Sequence, residues 1–405
     1  MSSARLIPRF DIPYSAADFT RALAALATSA TAAPEQMKGV LGDRRLIWTG
    51  SGRQALWLIL RALDLPKASG VAVPLYCSSS VALTVKAAGF EPVFVDVDKT
   101  TLTMDPRSLA SVRHRISAVV VAHLFGHAAA MEDLLAAAGG LPVIEDAAQA
   151  MLSYRSGRLA GTFGVASFYS FASSKYLPAG GGGIAAINDP RLGELADGLA
   201  RPSRISQFQR IAMQAAKALL FKRPLYGLLA SRLREQAESH TLLGANLDEL
   251  AIAPASAAVA VAQANSGFRA RVEKQRANAR HLIGLLGDIE DIQLPIEPCD
   301  SRYNYHLFPV LAASREEREA VMQSMLVQGI DTSRVHHSSI EIARKSGYRG
   351  GCPVSESVAG RMLTLPVSAN LSVADVNRVA AAFRLAILRY REASPRVEQL
   401  MGACV

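Results

Sequence analysis

The sequence predicts an α/β protein, with a large domain over residues 1–262 built on a doubly wound, mostly parallel sheet and a smaller C-terminal α/β domain over residues 263–405. Three observations carry that expectation. Short apolar, β-branched runs at 71–74, 92–97, 118–124 and 142–145 alternate with helical stretches at 79–88, 106–112 and 130–138, the rhythm of βαβ units. The runs are continuous, as in Ala118-Val-Val-Val-Ala122, where a strand with one wet face would alternate apolar and polar residues; such strands are covered by helices on both faces. The chain has 405 residues, 50% hydrophobic and 20% charged, enough to bury more than one core.

In order along the chain, Thr49-Gly50-Ser51-Gly52 makes a tight turn into an amphipathic helix, and the βαβ run follows. Two further strands are expected at 166–171 and 184–187, joined by a stretch of lysine and glycine with no room for a full helix. A single charged helix over 263–286 is expected to connect the domains. The second unit then holds a strand within 305–311, a helix over 315–328 closed by Gly329, a strand at 362–365, and a helix over 373–391 capped by Ser372. No internal repeat interrupts this order.

Several function classes drop out. The N-terminus runs through Arg5 into Pro8, Asp11 and Pro13 without the apolar stretch of a secretory signal. The longest weakly polar stretch, 251–264, contains Pro254, Ser256 and Gln263 and falls short of the ~20 apolar residues of a membrane span. Cys77, Cys299, Cys352 and Cys404 form no Cys-x-x-Cys pair, so neither a disulfide framework nor a cysteine zinc site is indicated. A cytoplasmic protein is expected. His123 and His127 have metal-like spacing, but the glycine turn between them keeps the two imidazoles off a common helix face, and no metal site is expected. The net charge is +9, and +6 of it lies between Arg201 and His240. There Ile205, Phe208, Ile211, Ala215, Leu219 and Leu220 recur at helical spacing, with Gln207, Arg210, Gln214 and Lys217 between them. This predicts an amphipathic helix ending before Pro224. The expectation is that its apolar stripe packs on the protein itself; the sharper alternative is weak peripheral contact with an anionic membrane. Few aromatics are interleaved with the charges, so no nucleic-acid partner is expected.

The chemistry concentrates in Ser170-Phe-Ala-Ser-Ser-Lys175 and the glycines 180–183. A lysine after a buried strand suits a nucleophilic amine, because desolvation disfavours its ammonium form and lets it condense with a carbonyl. The bland alternative is a charge in a flexible turn; the glycines argue for close approach of something to the main chain. Val143-Ile-Glu-Asp146 ends a strand in a carboxylate, where open α/β sheets bind ligands. Asp146 would hold a proton on the ring nitrogen of pyridoxal phosphate, or else cap a following helix. The turn at Gly50–Gly52 offers helix N–H groups to a phosphate. It also matches Gly-x-Gly-x-x-Ala, but the next strand ends Val73-Pro-Leu-Tyr-Cys77 without the acid that a dinucleotide site needs.

Taken in order, these motifs resemble the DegT/StrS-type sugar aminotransferases, which are fold-type I pyridoxal-phosphate enzymes. The similarity extends to Ser51-Gly-Arg-Gln-Ala-Leu56, Ala88-Gly-Phe-Glu-Pro-Val-Phe-Val-Asp96, His123-Leu-Phe-Gly126, Gly329-Ile-Asp-Thr332, Cys352-Pro-Val-Ser-Glu356 and Leu363-Thr-Leu-Pro366. The resemblance implies that Lys175 carries the cofactor as a Schiff base, Asp146 holds the pyridine nitrogen, Gln149 lies near the ring hydroxyl, and Gly52, Arg53 and Ser170 hold the phosphate. It also implies a homodimer, an amino acid donor such as glutamate and a nucleotide-linked keto-sugar as acceptor. The chain departs from the family at Arg53, where a threonine is usual, and at Cys77-Ser78, where threonine and an aromatic are usual, with Tyr76 a substitute stacking residue. It departs again at Gly181 and at Arg201-Pro-Ser-Arg204, which replaces an Arg-Asn-His-Gly element. Two alternatives remain: a dehydratase on the same cofactor, which Lys175 opposes because such relatives carry histidine there, and a non-catalytic protein acting through the basic segment.

Overall fold

The computed structural model of the chain describes residues 6–28, 31–199, 207–223, 226 and 251–402. In chain order the strands of the first unit are β1 (Arg45–Thr49), β2 (Gly70–Pro74), β3 (Glu91–Val95), β4 (Ala118–Ala122), β5 (Val143–Asp146), the short hairpin β6 (Tyr154–Arg155) and β7 (Arg158–Leu159), then β8 (Ala166–Ser170) and β9 (Gly183–Ile187). Seven of them form one sheet in the order β1-β9-β8-β5-β4-β2-β3. Strands β3, β2, β4, β5 and β8 are parallel neighbours, and β9 lies antiparallel between β8 and β1.

Strand β4 shows why its sequence is apolar at every position. Ala118, Val120 and Ala122 enter the core under the helices Gly52–Ala62 and Ser79–Ala87, while Val119 and Val121 enter the core under Pro106–Val112 and Met131–Ala138. With helices on both faces, no position is left for a polar residue. The chain passes from β2 outward to β3 and then returns to the other side of β2 at β4. Such a reversal opens a crevice at the carboxyl ends of the strands, where ligands of open α/β sheets bind. Cys77, His123, Asp146 and Ser170 all lie at or just beyond those ends.

After the short β10 (Ser301–Arg302), β11 (Phe308–Leu311) pairs antiparallel with β12 (Met362–Leu365). Phe308, Val310, Leu363 and Leu365 share a second core with Val321, Met325, Val379 and Phe383 from the helices Arg315–Val327 and Val373–Gly402. Ser372 caps the last helix: its Oγ accepts from the Asp375 N–H at 3.2 Å.

Two expectations need correction. The single helix over 263–286 is two helices, Pro254–Asn265 and Phe268–Leu286, broken at Ser266-Gly267, where Gly267 has φ +69°. The alanine-rich stretch before the break is a buried helix whose Ala255, Ala257 and Ala260 pack in the core beside β9. The second correction concerns the basic segment. Its helix spans Gln207–Leu220, but its inner face is Ile211, Gln214 and Ala218, while Leu219 is 54% exposed. Gln214, expected outside, is buried because the Ser173 hydroxyl donates to its Oε1 at 2.7 Å. Beyond the helix, Arg223 forms a two-pronged pair with Asp375 at 2.7 and 3.0 Å. The elements 201–206, 224–225 and 227–250, including Arg201–Arg204, lie outside the described residues. Among those described, no helix is long and apolar enough to cross a membrane.

Candidate active site

Strand β8 ends at Ser170, and the chain turns at once, with the Lys175 N–H donating to the Ala172 carbonyl at 2.9 Å. The glycine run that follows has φ of +78°, +134° and +98° at Gly180, Gly181 and Gly182, a region L side chains rarely adopt. What approaches this run is the chain itself. The Gly182 N–H donates to the Gly50 carbonyl at 3.0 Å, and a Cβ on Gly183 would lie 2.6 Å from the Gly52 nitrogen. The close approach that the glycines indicate is therefore made at Gly182 and Gly183 by the chain itself, which seats the Gly50–Gly52 turn against the start of β9.

That seating builds a corner. Ser51 caps the helix Gly52–Ala62, its Oγ accepting from the Gln54 N–H at 3.3 Å. A Cβ on Gly52 would meet Ser170 Cβ at 3.0 Å, so the first helical turn, with Gly52 and Arg53, abuts the Ser170 hydroxyl. Helix N–H groups and a hydroxyl converging on one point suit a phosphate, and only glycine keeps that point open.

Asp146 stands at the end of β5, next to β8 in the sheet. Its Oδ1 accepts from the Ala148 N–H at 3.1 Å. No helix follows, only a turn, so helix capping does not explain this carboxylate. Its main chain is fixed from behind by its neighbour. Glu145 is fully buried and accepts from the N–H groups of Gly161, Phe163 and Gly164, each at 2.7 Å, and from His123 at 2.8 Å. Because His123 Nδ1 accepts from the Ala129 N–H at 3.1 Å, its proton is assigned to Nε2, the atom facing Glu145. Burial would raise the Glu145 pKa, but the His123 bond and the Gly164 and Gly161 N–H groups outweigh it and hold the carboxyl below the usual range. The His123 N–H in turn donates to the Asp146 carbonyl at 3.1 Å.

Lys175 and Asp146 act on each other. Burial lowers the lysine pKa and raises that of the carboxyl, and in each case the partner's charge opposes the shift. Gln149 is oriented by the Phe125 N–H, which donates to its Oε1 at 2.6 Å, leaving the amide hydrogens for a ligand. Cys77 also faces Asp146; burial first, then that carboxylate, push its thiol far above the usual range. Its neighbour Tyr76 is buried, with its hydroxyl donating to the Val335 carbonyl at 2.6 Å.

Sequence reasoning missed three residues around Lys175. His306, just before β11, and His336, between β11 and β12 in the chain, face it, and burial followed by the lysine charge pushes each imidazole down to about 3, so both are neutral. Arg271, from the helix Phe268–Leu286, shares a pocket with Lys175. Periodicity gave no signal for any of them. His123 and His127 part company: the first is bound to Glu145, while the second stacks on Tyr303 with ring centres 4.5 Å apart.

This donor set fits pyridoxal phosphate: an amine, a carboxylate across from it, an oriented amide, and a helix N-terminus beside a serine hydroxyl. Comparison with known proteins agrees with the chemistry of the set. The model of the DegT/DnrJ/EryC1/StrS aminotransferase family matches residues 31–384. A UDP-N-acetyl-3-dehydro-alpha-D-glucosamine 3-aminotransferase from Acidithiobacillus ferrooxidans is 30% identical over 86% of each chain. A dTDP-3-amino-3,4,6-trideoxy-alpha-D-glucose transaminase from Streptomyces venezuelae is 30% identical over 84% of this chain and 82% of its own. The crystal structure of S. venezuelae DesV superposes with a TM-score of 0.75 at 25% identity, covering 94% of this chain and 98% of that one.

Proposed function

Because the chain belongs to the DegT/DnrJ/EryC1/StrS aminotransferase family, we propose that it uses pyridoxal phosphate to move an amino group from an amino acid, glutamate in the first instance, to a nucleotide-linked keto-sugar. The observation that carries this reading is the electrostatic coupling of Lys175, in the turn after β8, with Asp146 at the end of the adjacent strand β5. The relatives named above act on UDP- and dTDP-linked sugars, which supports the acceptor class.

When bound, the cofactor supplies an electron sink for charge developing at the substrate carbon. The protein's own groups do the rest. The first-turn N–H groups of Gly52 and Arg53 and the Ser170 hydroxyl would hold the cofactor's phosphate. The Asp146 carboxylate, fixed by Ala148, would keep a proton at the ring nitrogen, and the Gln149 amide would donate to the ring's oxygen substituent. Lys175 Nζ would hold the cofactor covalently between turnovers and move the proton at the substrate carbon during them. A lysine whose pKa is lowered by burial is suited to both tasks, since each needs the neutral amine. Neutral His306 and His336 add no competing positive charge beside it.

The test is amino transfer from glutamate to a panel of UDP-, dTDP- and GDP-linked keto-sugars by cofactor-loaded protein, read as amino-sugar nucleotide by mass spectrometry. Product from at least one acceptor is expected. Loaded protein that transfers to none of them, whatever the donor, overturns the reading.

A further inference from the structure

Lys175 opens on a pocket whose other walls come from four separate parts of the chain. The N-terminal segment supplies Arg9, Phe10 and Asp11, the helix Phe268–Leu286 supplies Arg271, the segment before β11 supplies His306, and the loop after β12 supplies Asn370. Two cationic side chains, Arg9 and Arg271, and one carboxylate, Asp11, therefore share a small enclosure with the amine that meets the substrate.

The cations are not equivalent. Arg9 lies 3.8 Å from Asp331. Arg271 is held only at its rim: Nη1 donates to the Ser266 carbonyl at 3.3 Å, and the guanidinium lies 5.5 Å over the Phe268 ring. Its Nη2 is buried and has no hydrogen-bond partner among the described residues. Asp18 and Asp11 are close enough to stabilise its charge, and the Tyr176 hydroxyl also faces it, yet none of the three accepts from it. Asp11 is occupied by Asn370, whose amide donates to it. A buried guanidinium N–H without an acceptor is unfavourable in the protein alone. Its natural complement is a carboxylate, whose two oxygens match the planar fork.

We propose that Arg271 is the subsite for a carboxylate of the amino donor, so that the donor's amine meets Lys175 while its acid group is fixed on the helix between the two units. The inference rests on the aminotransferase reading above and adds the residue that selects an amino acid in the first half of the reaction. Asp11 argues against the alternative anion, the diphosphate of the sugar nucleotide. One carboxylate balances the excess positive charge of the walls, whereas a diphosphate brings at least one further negative charge against Asp11. The covalent steps are those of transamination, and Arg271 takes part in none of them; it binds and orients.

The two half-reactions separate the possibilities, because each bleaches or restores the visible absorbance of loaded protein without the other substrate present. In Arg271→Gln, the glutamate concentration for half-maximal rate should rise ~10-fold or more, with partial recovery in Arg271→Lys. The reverse half-reaction with the amino-sugar nucleotide should stay within ~2-fold of wild type. Binding of glutarate, an unreactive dicarboxylate, to cofactor-free protein should weaken in parallel by calorimetry. Unchanged glutamate dependence, or an equal loss in both half-reactions, overturns the proposal. If Arg271→Gln does not fold, wild-type protein decides: glutarate should compete with glutamate and leave the amino-sugar half-reaction untouched, and the converse overturns the subsite. Should glutamate react while no amino-sugar nucleotide does, the acceptor assignment has failed and the Arg271 result still stands by its own measure.

Discussion

At the scale of single residues, the site depends on groups whose ordinary ionisation is shifted by burial. Lys175→Ala should abolish both the visible absorbance of loaded protein and amino transfer, since among the described residues no other lysine faces Asp146. Full transfer by that variant without an added amine would remove Lys175 from the chemistry. Asp146→Asn keeps the shape and the Ala148 contact but cannot hold a ring proton. It should retain cofactor while losing ~100-fold or more in kcat, about 1.4 kcal/mol of barrier for each factor of ten. Wild-type turnover would reduce Asp146 to a turn-former. These two residues were legible because a charge at the end of an apolar strand stands out in a sequence. His306, His336 and Arg271 were not, because each belongs to a different element and only the folded chain brings it to Lys175. Gln214 was misread for a related reason: periodicity counts glutamine as polar, and the Ser173 hydroxyl that lets it enter the core is invisible in its own helix.

At the scale of elements, the strands covered on both faces were readable and those with mixed patterns were not. Strand β4 announced itself with five buried apolar residues, whereas β1 lies at the edge of the sheet, carries Arg45 and Thr49, and has no such run. The break at Ser266-Gly267 was hidden because the residues on either side both read as helix. The glycine run supplies a test of its role. Gly183→Ala forces a Cβ to within 2.6 Å of the Gly52 nitrogen, so β9 or the start of the phosphate-facing helix must shift. Overpacking of this kind costs about 1–3 kcal/mol, and cofactor should be released more readily. Gly360→Ala, in the helix Pro353–Arg361 with nothing within 4 Å of its added Cβ, is the control. Equal cofactor affinity in both variants would show that the glycines do not set the corner. The helix Gln207–Leu220 and its continuation bear on surface attachment. Lys217 and Lys222 are exposed, but Arg223 is already paired with Asp375. At ≈ 1 kcal/mol per basic residue near an anionic surface, the two exposed lysines among the described residues hold a protein weakly by themselves, and no pelleting with anionic vesicles that depends on them is expected at ~0.15 M salt. Salt-sensitive pelleting that is lost in the doubly substituted Lys217→Glu, Lys222→Glu protein would restore the membrane alternative.

For the whole molecule, burying neutral histidines links folding to pH. Burial pushes His127 down to about 4, and burial with the Lys175 charge pushes His306 and His336 down to about 3. In the unfolded chain all three titrate near 6.5. Below that value the unfolded state binds protons that the folded state does not, so the stability these groups contribute is present above pH ~6.5 and is lost as pH falls toward their folded values. Each contributes a slope of ~1.4 kcal/mol per pH unit, ~4 for the three together. Asp11 and Asp146 work in the opposite sense over the lower part of the window, because burial raises their pKa values and the folded state then binds the extra proton. The net slope for cofactor-free protein should therefore lie between ~1 and ~4 kcal/mol per unit from pH ~6 to ~4, seen as a falling urea midpoint. His127 is the residue to change, since it stacks on Tyr303 and its shift does not involve Lys175. His127→Phe keeps a ring on that face and removes the proton site. Across pH 7 to 4 it should lose ~3 kcal/mol less stability than wild type, even if its stability at pH 7 is lower for want of the Thr101 contact. Parallel pH profiles for the two proteins would mean that His127 is already protonated in the folded state, leaving the acid response to His306, His336 and the carboxylates.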